Sequence, residues 1–394
     1  MNIAIITYGI DVGGVESVML NLSKIFKKKN YNVIFFQVNY DGIWKNYFIS
    51  QGFQVVNIIR KYYESRTSYL KRILYNLKDF DLILLNDVPE VHSILGFLNS
   101  KQIVFSILHN NIDSMIRNSI LNIENINKVI CVSPYLQKKL IDSFPQYDKK
   151  IIHISNGVYV NNYYIRKNFS DKIVNLLFVG RLDHDQKGVN YLPDILKNIV
   201  KYNKNVKLNI IGEGKDKNKM IKKFNDYKLM NYVNFLGKMN NAKVLEFMKD
   251  NHILLMPSHY EGHPIVLMEA MSNGIIPIVS ELENITTHVV SDGKNGFICK
   301  VSDLDCFSKK VNQIINDKNL MNEISFNAWK TIFKKFSINN MANNYLKLFE
   351  FEKKHLMPKL NYLVIDNMDN MFDIPLFLEK GIKFSKRLYN KVIK

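Results

Sequence analysis

Short, almost wholly apolar runs alternate with amphipathic stretches through the first 160 residues. Such runs are typical of strands buried on both faces of a parallel sheet, and the stretches between them are typical of covering helices. The helical spacing is clearest at Glu16–Lys28, where Val18, Leu22, Ile25 and Phe26 share one face. The apolar runs predict strands at Ile3–Thr7, Asn32–Val38, Leu82–Leu85, Ile103–Leu108, Lys128–Val132 and Ile151–Ile154.

The pattern restarts after a polar stretch rich in Asn and Tyr, which we interpret as a linker over residues 161–172. The second series of predicted strands is Val174–Gly180, Val206–Ile211, Tyr232–Leu236, Ile253–Met256, Ile276–Ser280 and Gly296–Cys299, with helices at Val189–Lys201 and Asn240–Met248. Modules at 1–160 and 173–336 predict an α/β protein whose two domains face each other across a cleft. Ligands in open α/β sheets bind at the carboxyl ends of strands, so the loops there are expected to carry the chemistry.

Residues 337–394 have a different pattern. Ser337–Lys353 predicts one long helix, and a tail follows from Leu356. Its last part, Pro375–Lys394, interleaves lysines and one arginine with apolar residues. Two interpretations stay open for this segment: an amphipathic helix lying on anionic lipid, or a terminal helix packed on the core.

The charge balance is unusual for a chain of this size. Lys and Arg total 54 against 36 for Asp and Glu, a formal net charge of +18. Such an excess favours an anionic partner, which is nucleic acid, anionic lipid or a phosphorylated substrate. A proteome rich in Lys and Asn would explain the same excess without any partner.

Cysteine usage and the N-terminus indicate a compartment. Cys131, Cys299 and Cys306 have no metal-type or redox-type spacing, and we interpret them as reduced thiols. The N-terminus lacks the pattern of a signal peptide, and no run approaches the ~20 apolar residues of a transmembrane helix. We therefore expect a cytoplasmic protein with at most peripheral contact at the inner face of the membrane.

The segment Glu261-Gly262-His263-Pro264-Ile265-Val266-Leu267-Met268-Glu269 carries the strongest chemical signal. It follows the predicted strand Ile253–Met256. Pro264 suits the first turn of a helix, and Gly274 suits its end. The free N–H groups at such a helix start would bind a diphosphate, and the two carboxylates would accept hydrogen bonds from vicinal hydroxyls.

A second signal spans residues 179–188, between the first strand of the second module and its first helix. It contains Arg181 and Lys187, a fork-shaped donor and a point charge that together suit a pyrophosphate.

With both motifs in this order, the chain resembles the retaining glycosyltransferases of the GT-B fold, in the large family-four group. The family's two glutamates separated by seven residues match Glu261 and Glu269, and its Gly-Arg…Lys-Gly segment matches residues 180–181 and 187–188. This resemblance implies two tandem Rossmann-like domains with C-terminal helices. Further matches are Gly13-Gly14-Val15-Glu16, Asn156-Gly157-Val158, Gly212-Glu213-Gly214, Phe235-Leu236-Gly237 and Asp292-Gly293 with Asn295-Gly296.

The resemblance implies roles in the second domain. Arg181 and Lys187 would bind the diphosphate of the donor. Glu269 would hold its ribose, and Glu261 would contact its sugar near the anomeric carbon. The remaining implied donor contacts are the backbone of Gly262, His263, Pro264, Ile265 and Val266, which would meet the phosphates, and Gly212 and Leu236, which would border the base.

In the first domain, which would bind the acceptor, the resemblance implies that Gly14 approaches the phosphates. His109 would face the sugar and the acceptor, although a single histidine after an apolar strand is as often structural. Ser133 is a weaker candidate. Two departures from the family pattern, His263-Pro264 and the acidic Glu281-Leu282-Glu283-Asn284, alter loops of the implied site.

The implied reaction moves a hexosyl unit from a nucleoside diphosphate sugar, with UDP as the expected carrier, to a glycan or lipid-linked acceptor in bacterial surface polysaccharide or lipopolysaccharide synthesis. Protein cations would stabilise the leaving diphosphate, so no metal and no other cofactor is expected. We attribute the Asp-x-Asp triplets at residues 79–81, 183–185 and 303–305 to chance.

Three rival functions are a sugar-nucleotide epimerase, a glycan phosphorylase and a non-enzymatic protein that binds nucleic acid or anionic membrane. The sequence lacks the aromatic and basic motifs of common RNA-binding modules, so no nucleic-acid partner is expected.

Overall fold

The computed structural model describes residues 1–165 and 173–361. Within them the chain forms two compact units, each built on one parallel sheet. Among the described residues, the first unit comprises residues 1–132, 136–154 and 342–361. The second comprises residues 133–135 and 155–341.

The first unit contains a seven-stranded parallel sheet in the order β3-β2-β1-β4-β5-β6-β7. The central strands β4 and β5 are buried along their whole length, as their unbroken apolar sequences predict. The strands are β1 (Asn2–Thr7), β2 (Asn32–Gln37), β3 (Gln54–Asn57), β4 (Leu82–Asn86), β5 (Ile103–Leu108), β6 (Lys128–Cys131) and β7 (Ile151–His153). The helices are α1 (Gly14–Lys28), α2 (Lys45–Ser50), α3 (Arg66–Leu77), α4 (Pro89–His92), α5 (Asp113–Ile120) and α6 (Pro134–Ser143).

The second unit contains a six-stranded parallel sheet in the order β10-β9-β8-β11-β12-β13. Its strands are β8 (Val174–Val179), β9 (Val206–Ile211), β10 (Val233–Gly237), β11 (Ile253–Met256), β12 (Ile276–Ser280) and β13 (Phe297–Cys299). Its helices are α7 (His184–Lys187), α8 (Leu192–Val200), α9 (Lys217–Asp226), α10 (Asn241–Met248), α11 (Ile265–Ser272), α12 (Thr286–Val289), α13 (Leu304–Asn316) and α14 (Lys318–Lys335). Separate hydrophobic clusters pack on the two faces of the sheet.

Each strand predicted from an apolar run is present, with ends shifted by at most one residue. The edge strand β3 is not predicted from an apolar run, because it has polar residues at both ends and only two apolar residues between them. The helix predicted at Val189–Lys201 begins instead with a 3₁₀ turn, Val189–Tyr191, and continues as α8. The α/β class and the two Rossmann-like modules are confirmed.

The chain enters the second unit earlier than the predicted boundary at residue 160. Val158 is 3% exposed and belongs to a hydrophobic cluster of the second unit. Burial of its side chain in that cluster explains why residues 155–160 belong to the second unit. Val158 also forms an isolated parallel bridge with Ser337. Residues 166–172 of the predicted linker lie outside the described residues.

The predicted C-terminal helix is α15 (Ile338–Lys354). From Ala342 its residues cluster with the first unit rather than forming a separate region. Glu352, 4% exposed, lies 3.6 Å from the Nζ atom of Lys128 and accepts a hydrogen bond from Asn127 at 3.4 Å. The basic segment Pro375–Lys394 lies outside the described residues. Among helices of residues 1–165 and 173–361, none combines the length and apolar character needed to cross a bilayer.

The prediction of three reduced thiols is wrong for two of the cysteines. Cys299 ends β13, and Cys306 lies in the first turns of α13, which brings their Cα atoms to 5.7 Å and their sulfur atoms into a disulfide. The sequence separation of seven residues matches no common motif, and only the return of the helix along the strand end shows the proximity. Cys131 is a buried free thiol.

We therefore expect one thiol per chain when the purified protein is unfolded without reductant and titrated with a thiol reagent. Prior reduction should expose all three cysteines of the sequence. Three thiols without reductant would show that Cys299 and Cys306 remain reduced in solution.

Candidate active site

The loops at the carboxyl end of the second sheet are held together by main-chain contacts. Gly180 donates its N–H to the carbonyl of Ile211 at 3.0 Å, and Gly212 donates to Gly237 at 2.8 Å. Gly212 has φ +144°, and a Cβ atom there would lie 1.9 Å from the carbonyl oxygen of Gly180. The ends of β8 and β9 therefore meet at a distance that excludes a side chain at residue 212, and the hydrogen bond from Gly212 joins β10 to them. Leu236, predicted to border the base, is half-buried in this region.

A second close approach joins α7 to the segment after β11. Gly188 has φ +63°, and a Cβ atom there would lie 1.9 Å from the carbonyl oxygen of Pro257. His259 donates its N–H to the carbonyl of Gln186 at 2.9 Å. These contacts place the side chain of Lys187 beside residues 258–261.

Lys187 and Glu261 form a close ion pair in this position. The Nζ atom of Lys187 lies 2.7 Å and 2.9 Å from the two carboxylate oxygens of Glu261. Ser258 donates a further hydrogen bond from its hydroxyl to Glu261 at 2.7 Å. Because Glu261 is only 8% exposed, these donors compensate for the loss of water around its charge.

The helix α11 begins directly after this pair. Its first residue is Ile265, and Pro264 precedes it rather than standing in the first turn as predicted. Gly274, with φ +69°, ends the helix, since its N–H bonds to Met271 and the N–H of Ile275 bonds to Ala270. Gly262, His263, Ile265 and Val266 are half-buried around the helix start, whose first N–H groups have no partner within the helix.

Glu269 lies in the middle of α11 and is 6% exposed. The side-chain amide of Asn241, the first residue of α10, donates to it at 3.0 Å. Burial raises the pKa of Glu269 to about 7 from its ordinary 4.5, and the hydrogen bond from Asn241 partly opposes this. The carboxyl group is thus held in a desolvated position, half protonated near neutral pH.

Arg181 follows β8 and is exposed, and its side chain forms no ion pair or hydrogen bond with the described residues. A further cation, missed from the sequence, lies nearby. Lys215 pairs with Asp185, and its Nζ atom lies 3.2 Å from Asp183. Its position directly after Gly212-Glu213-Gly214, at a strand end, is the signal that could have indicated it.

In two of the three Asp-x-Asp triplets the first aspartate caps a helix. Asp183 and Asp303 cap α7 and α13 by accepting hydrogen bonds from main-chain N–H groups. Within the described part of the chain, no group of three or more His, Cys, Asp or Glu side chains is arranged to hold a metal ion.

The remaining predicted residues follow strands of the first sheet or begin one of its helices. His109 follows β5 in the first unit, is 7% exposed and has its Nε2 atom 2.8 Å from Asn86 Oδ1. Burial lowers the pKa of His109 to about 4, so the ring is neutral at physiological pH. Gly14 is the first residue of α1. Ser133 is buried directly before α6.

Replacing Gly188 by alanine should strongly destabilise the protein, because the new Cβ atom would collide with Pro257 in a left-handed backbone. We expect a loss of at least about 3 kcal/mol, above the ~1–2 kcal/mol of the left-handed conformation alone. Gly293→Ala is the matched control, with φ +70° and no atom within 4 Å of the added Cβ. Equal losses for the two variants in urea unfolding would contradict the steric argument.

The raised pKa of Glu269 predicts a pH-dependent stability. Between its ordinary pKa of 4.5 and its folded value of about 7, the folded state binds more protons than the unfolded state. Stability therefore falls as pH rises through this window, by up to about 3 kcal/mol from this group. Glu269→Gln stays neutral and should lose that component of the slope.

The measurement is urea unfolding from about pH 5 to about pH 8 for the wild type, Glu269→Gln and the control Glu246→Gln. Glu246 lies on α10 with a side chain that is 74% exposed, so its variant should follow the wild type. Parallel pH curves for all three proteins would show that Glu269 has an ordinary pKa.

Two family models match consecutive parts of the chain. The model described as Glycosyltransferase Family 4 matches residues 12–162, and the model described as Glycosyl transferases group 1 matches residues 164–331. The Anabaena protein Alr3699/HepE, solved in complex with UDP, has the same fold. It superposes with a TM-score of 0.77 at 16% identity, covering 89% of this chain and 100% of that one.

Two curated bacterial relatives match shorter segments. The poly(ribitol-phosphate) alpha-N-acetylglucosaminyltransferase of Staphylococcus aureus is 27% identical over 229 residues, 58% of this chain and 45% of that protein. A Campylobacter jejuni alpha-1,4-N-acetyl-D-galactosaminyltransferase, whose name gives an undecaprenol-diphosphate glycan as its substrate, is 30% identical over 176 residues, 44% and 47% of the two chains. The chain thus spans about half the length of the curated relatives it matches. With both domain families matched in order on two Rossmann-like modules, the chain belongs to the glycosyltransferases of the GT-B fold.

Proposed function

We propose that this protein is a retaining glycosyltransferase that moves a hexosyl unit from a UDP-sugar to a glycan or lipid-linked acceptor. The observation that carries the proposal is the ion pair of Lys187 and Glu261 directly before the start of α11, at the edge of the second sheet where Arg181 follows β8. A strand-end site with cations and free helix N–H groups suits a diphosphate.

The chemistry follows from where charge develops. The bond between the anomeric carbon and the diphosphate oxygen breaks, and the acceptor hydroxyl oxygen bonds to the same carbon. The hydroxyl proton leaves with the diphosphate. Arg181, Lys187 and the N–H groups of α11 stabilise the negative charge on the departing group, which is the role that a metal ion fills in other transferases. We therefore propose that no metal is required.

Lys187 has a double function in this proposal. In the protein without donor it neutralises Glu261 at 2.7 Å. When the diphosphate binds, the same ammonium group would lie between two anions, and the carboxylate of Glu261 would remain beside the anomeric carbon. Its negative charge would stabilise the positive charge that develops on the sugar ring as the diphosphate leaves. The acceptor oxygen would bond to the anomeric carbon on the same face that the diphosphate left, so the anomeric configuration would be retained.

Glu269 would hold the ribose. A carboxyl group that is half protonated near neutral pH loses its proton more readily when hydroxyl donors bind it, since hydrogen bonds to the charged form lower the pKa. Uridine as the base is supported by the UDP named with the Anabaena structure. The named substrates of the two bacterial relatives support a polymer or lipid-linked acceptor of surface glycan synthesis. We place this reaction in the cytoplasm, at the inner face of the membrane.

Thermal stabilisation by nucleotides tests the donor site. We expect UDP and one UDP-sugar to raise the melting temperature of the wild type, with GDP and ADP giving smaller shifts. A ligand at 100 times its dissociation constant should stabilise by about 2.7 kcal/mol. Arg181→Ala and Glu269→Ala should abolish the shift, because they remove a phosphate contact and the ribose contact.

Lys204→Ala is the matched control, since it removes one exposed positive charge at the amino-terminal edge of the same sheet. It should keep the full UDP shift. If no nucleotide stabilises a folded wild type, the proposed function is wrong. Once the donor is known, NMR of the product gives the anomeric configuration, and turnover of the donor sugar without any acceptor would indicate an epimerase instead.

A further inference from the structure

The first unit contains a cavity of about 160 Å³ at the carboxyl ends of β1, β4 and β5. It is smaller than the pockets of roughly 300 Å³ and more that hold drug-sized molecules, and it suits one sugar ring rather than an oligosaccharide. Its apolar lining includes Val15, Ile107 and the rings of Tyr8 and Tyr40, surfaces that suit the C–H faces of a pyranose.

Most hydroxyl and amide donors around this cavity are already engaged with the protein. Thr7 and Ser119 donate their hydroxyls to main-chain carbonyls at 3.2 Å and 2.8 Å. Asn86 donates its amide N–H to a main-chain carbonyl at 3.1 Å. These groups therefore have little donor capacity left for a ligand.

The hydroxyl groups of the two cavity tyrosines are likewise hydrogen-bonded within the protein. Tyr40 donates its hydroxyl to Asp11 at 2.6 Å, and Tyr8 forms a hydrogen bond with the carboxyl group of Glu90. One oxygen of Glu90 is buried without any partner among the described residues. Both tyrosine hydroxyls are therefore held by carboxyl groups and are not free to donate to a ligand.

His109 lines the cavity and carries one acceptor that the protein leaves unused. Asn86 Nδ2 donates to the main chain, which orients its Oδ1 atom toward His109 Nε2 at 2.8 Å. Because a carbonyl oxygen only accepts, Nε2 carries the proton of the neutral ring, and Nδ1 has a free lone pair. Nδ1 is buried and has no partner within the described residues.

The rest of the polar lining consists of the amide of Asn110 and two carboxylates. Asp87 lines the cavity after β4, and Glu16 lines it from the first turn of α1. The Glu16 carboxylate folds back over Gly13, where a Cβ atom would lie 2.3 Å from its Oε2 atom, so it already occupies the electropositive start of α1. Burial, with a further contribution from Asp11, raises the pKa of Glu16. None of the described lining residues is lysine or arginine.

We propose that this cavity binds the acceptor through a single sugar ring that is neutral or carries a free amine, and that it rejects rings bearing a carboxylate or a phosphate. His109 Nδ1, Glu16 and Asp87 are hydrogen-bond acceptors, so a ligand that donates hydrogen bonds fits them. An anionic ring would meet the carboxylates of Glu16 and Asp87 with no lysine or arginine in the lining to neutralise it. The cavity would thus reject anions, whereas the net charge of +18 of the whole chain favours anionic partners. This inference rests on the proposed transferase function.

Ligand-observed NMR with methyl glycosides tests the proposal on the full chain saturated with UDP. The probes are the methyl glycosides of glucose and galactose, of the corresponding free-amine hexosamines, of the corresponding uronic acids and of the 6-phosphates. We expect at least one neutral or amine-bearing probe to bind at least about tenfold more tightly than the anionic probe of the same stereochemistry, a difference of about 1.4 kcal/mol.

Glu16→Gln and Asp87→Asn keep the shape of each side chain and remove its charge, and asparagine tolerates the left-handed φ of +53° at residue 87. Both variants should weaken binding of the amine probe by about tenfold and narrow its preference over the anionic probe. Asp142→Asn, an exposed acid on α6, should leave the preference unchanged.

Equal or tighter binding of the anionic probes, or binding of no glycoside at all, overturns the proposal. A UDP shift that persists in that case leaves the transferase function standing. Loss of the UDP shift with an intact preference for neutral and amine probes would overturn the donor site alone.

Discussion

A Cβ atom at residue 188 would lie 1.9 Å from the carbonyl oxygen of Pro257, so only glycine allows α7 to approach the segment after β11. Lys187 and Glu261 are 74 positions apart in sequence, and this approach of the two segments brings them together as an ion pair. Gly212 imposes a similar condition between β8 and β9. Steric constraints on the main chain therefore position the charges of the second unit, and side-chain contacts then hold them.

The two units present opposite hydrogen-bonding character at their strand ends. In the second unit, Arg181, Lys187 and the start of α11 offer donors and positive charge, which suit a diphosphate. In the first unit, His109 and the neighbouring carboxylates offer acceptors, which suit hydroxyls or an ammonium group. The same architecture, a parallel sheet with loops at its carboxyl ends, thus supports two kinds of ligand because the loop side chains differ.

Burial has different consequences for the carboxyl groups of these sites. Lys187 and Ser258 donate hydrogen bonds to the buried carboxylate of Glu261, so its negative charge is paired inside the protein. Glu269 has the single amide of Asn241, and its pKa therefore rises to about 7. A desolvated carboxyl with unused acceptor capacity is a candidate for hydroxyl recognition, whereas a paired one is suited to electrostatic stabilisation.

The sequence by itself determined the α/β class, the twelve apolar strands and the two motifs of the second unit, because buried parallel strands and helix starts leave local patterns. It did not determine the polar-ended strand β3, the disulfide between Cys299 and Cys306, or the assignment of α15 from Ala342 to the first unit. Two further features came only from the tertiary structure. The Oδ1 atom of Asn86 faces His109, and the Glu16 carboxylate covers the start of α1. These features depend on contacts between residues distant in sequence or on the rotamer of one side chain, and neither produces periodicity along the chain.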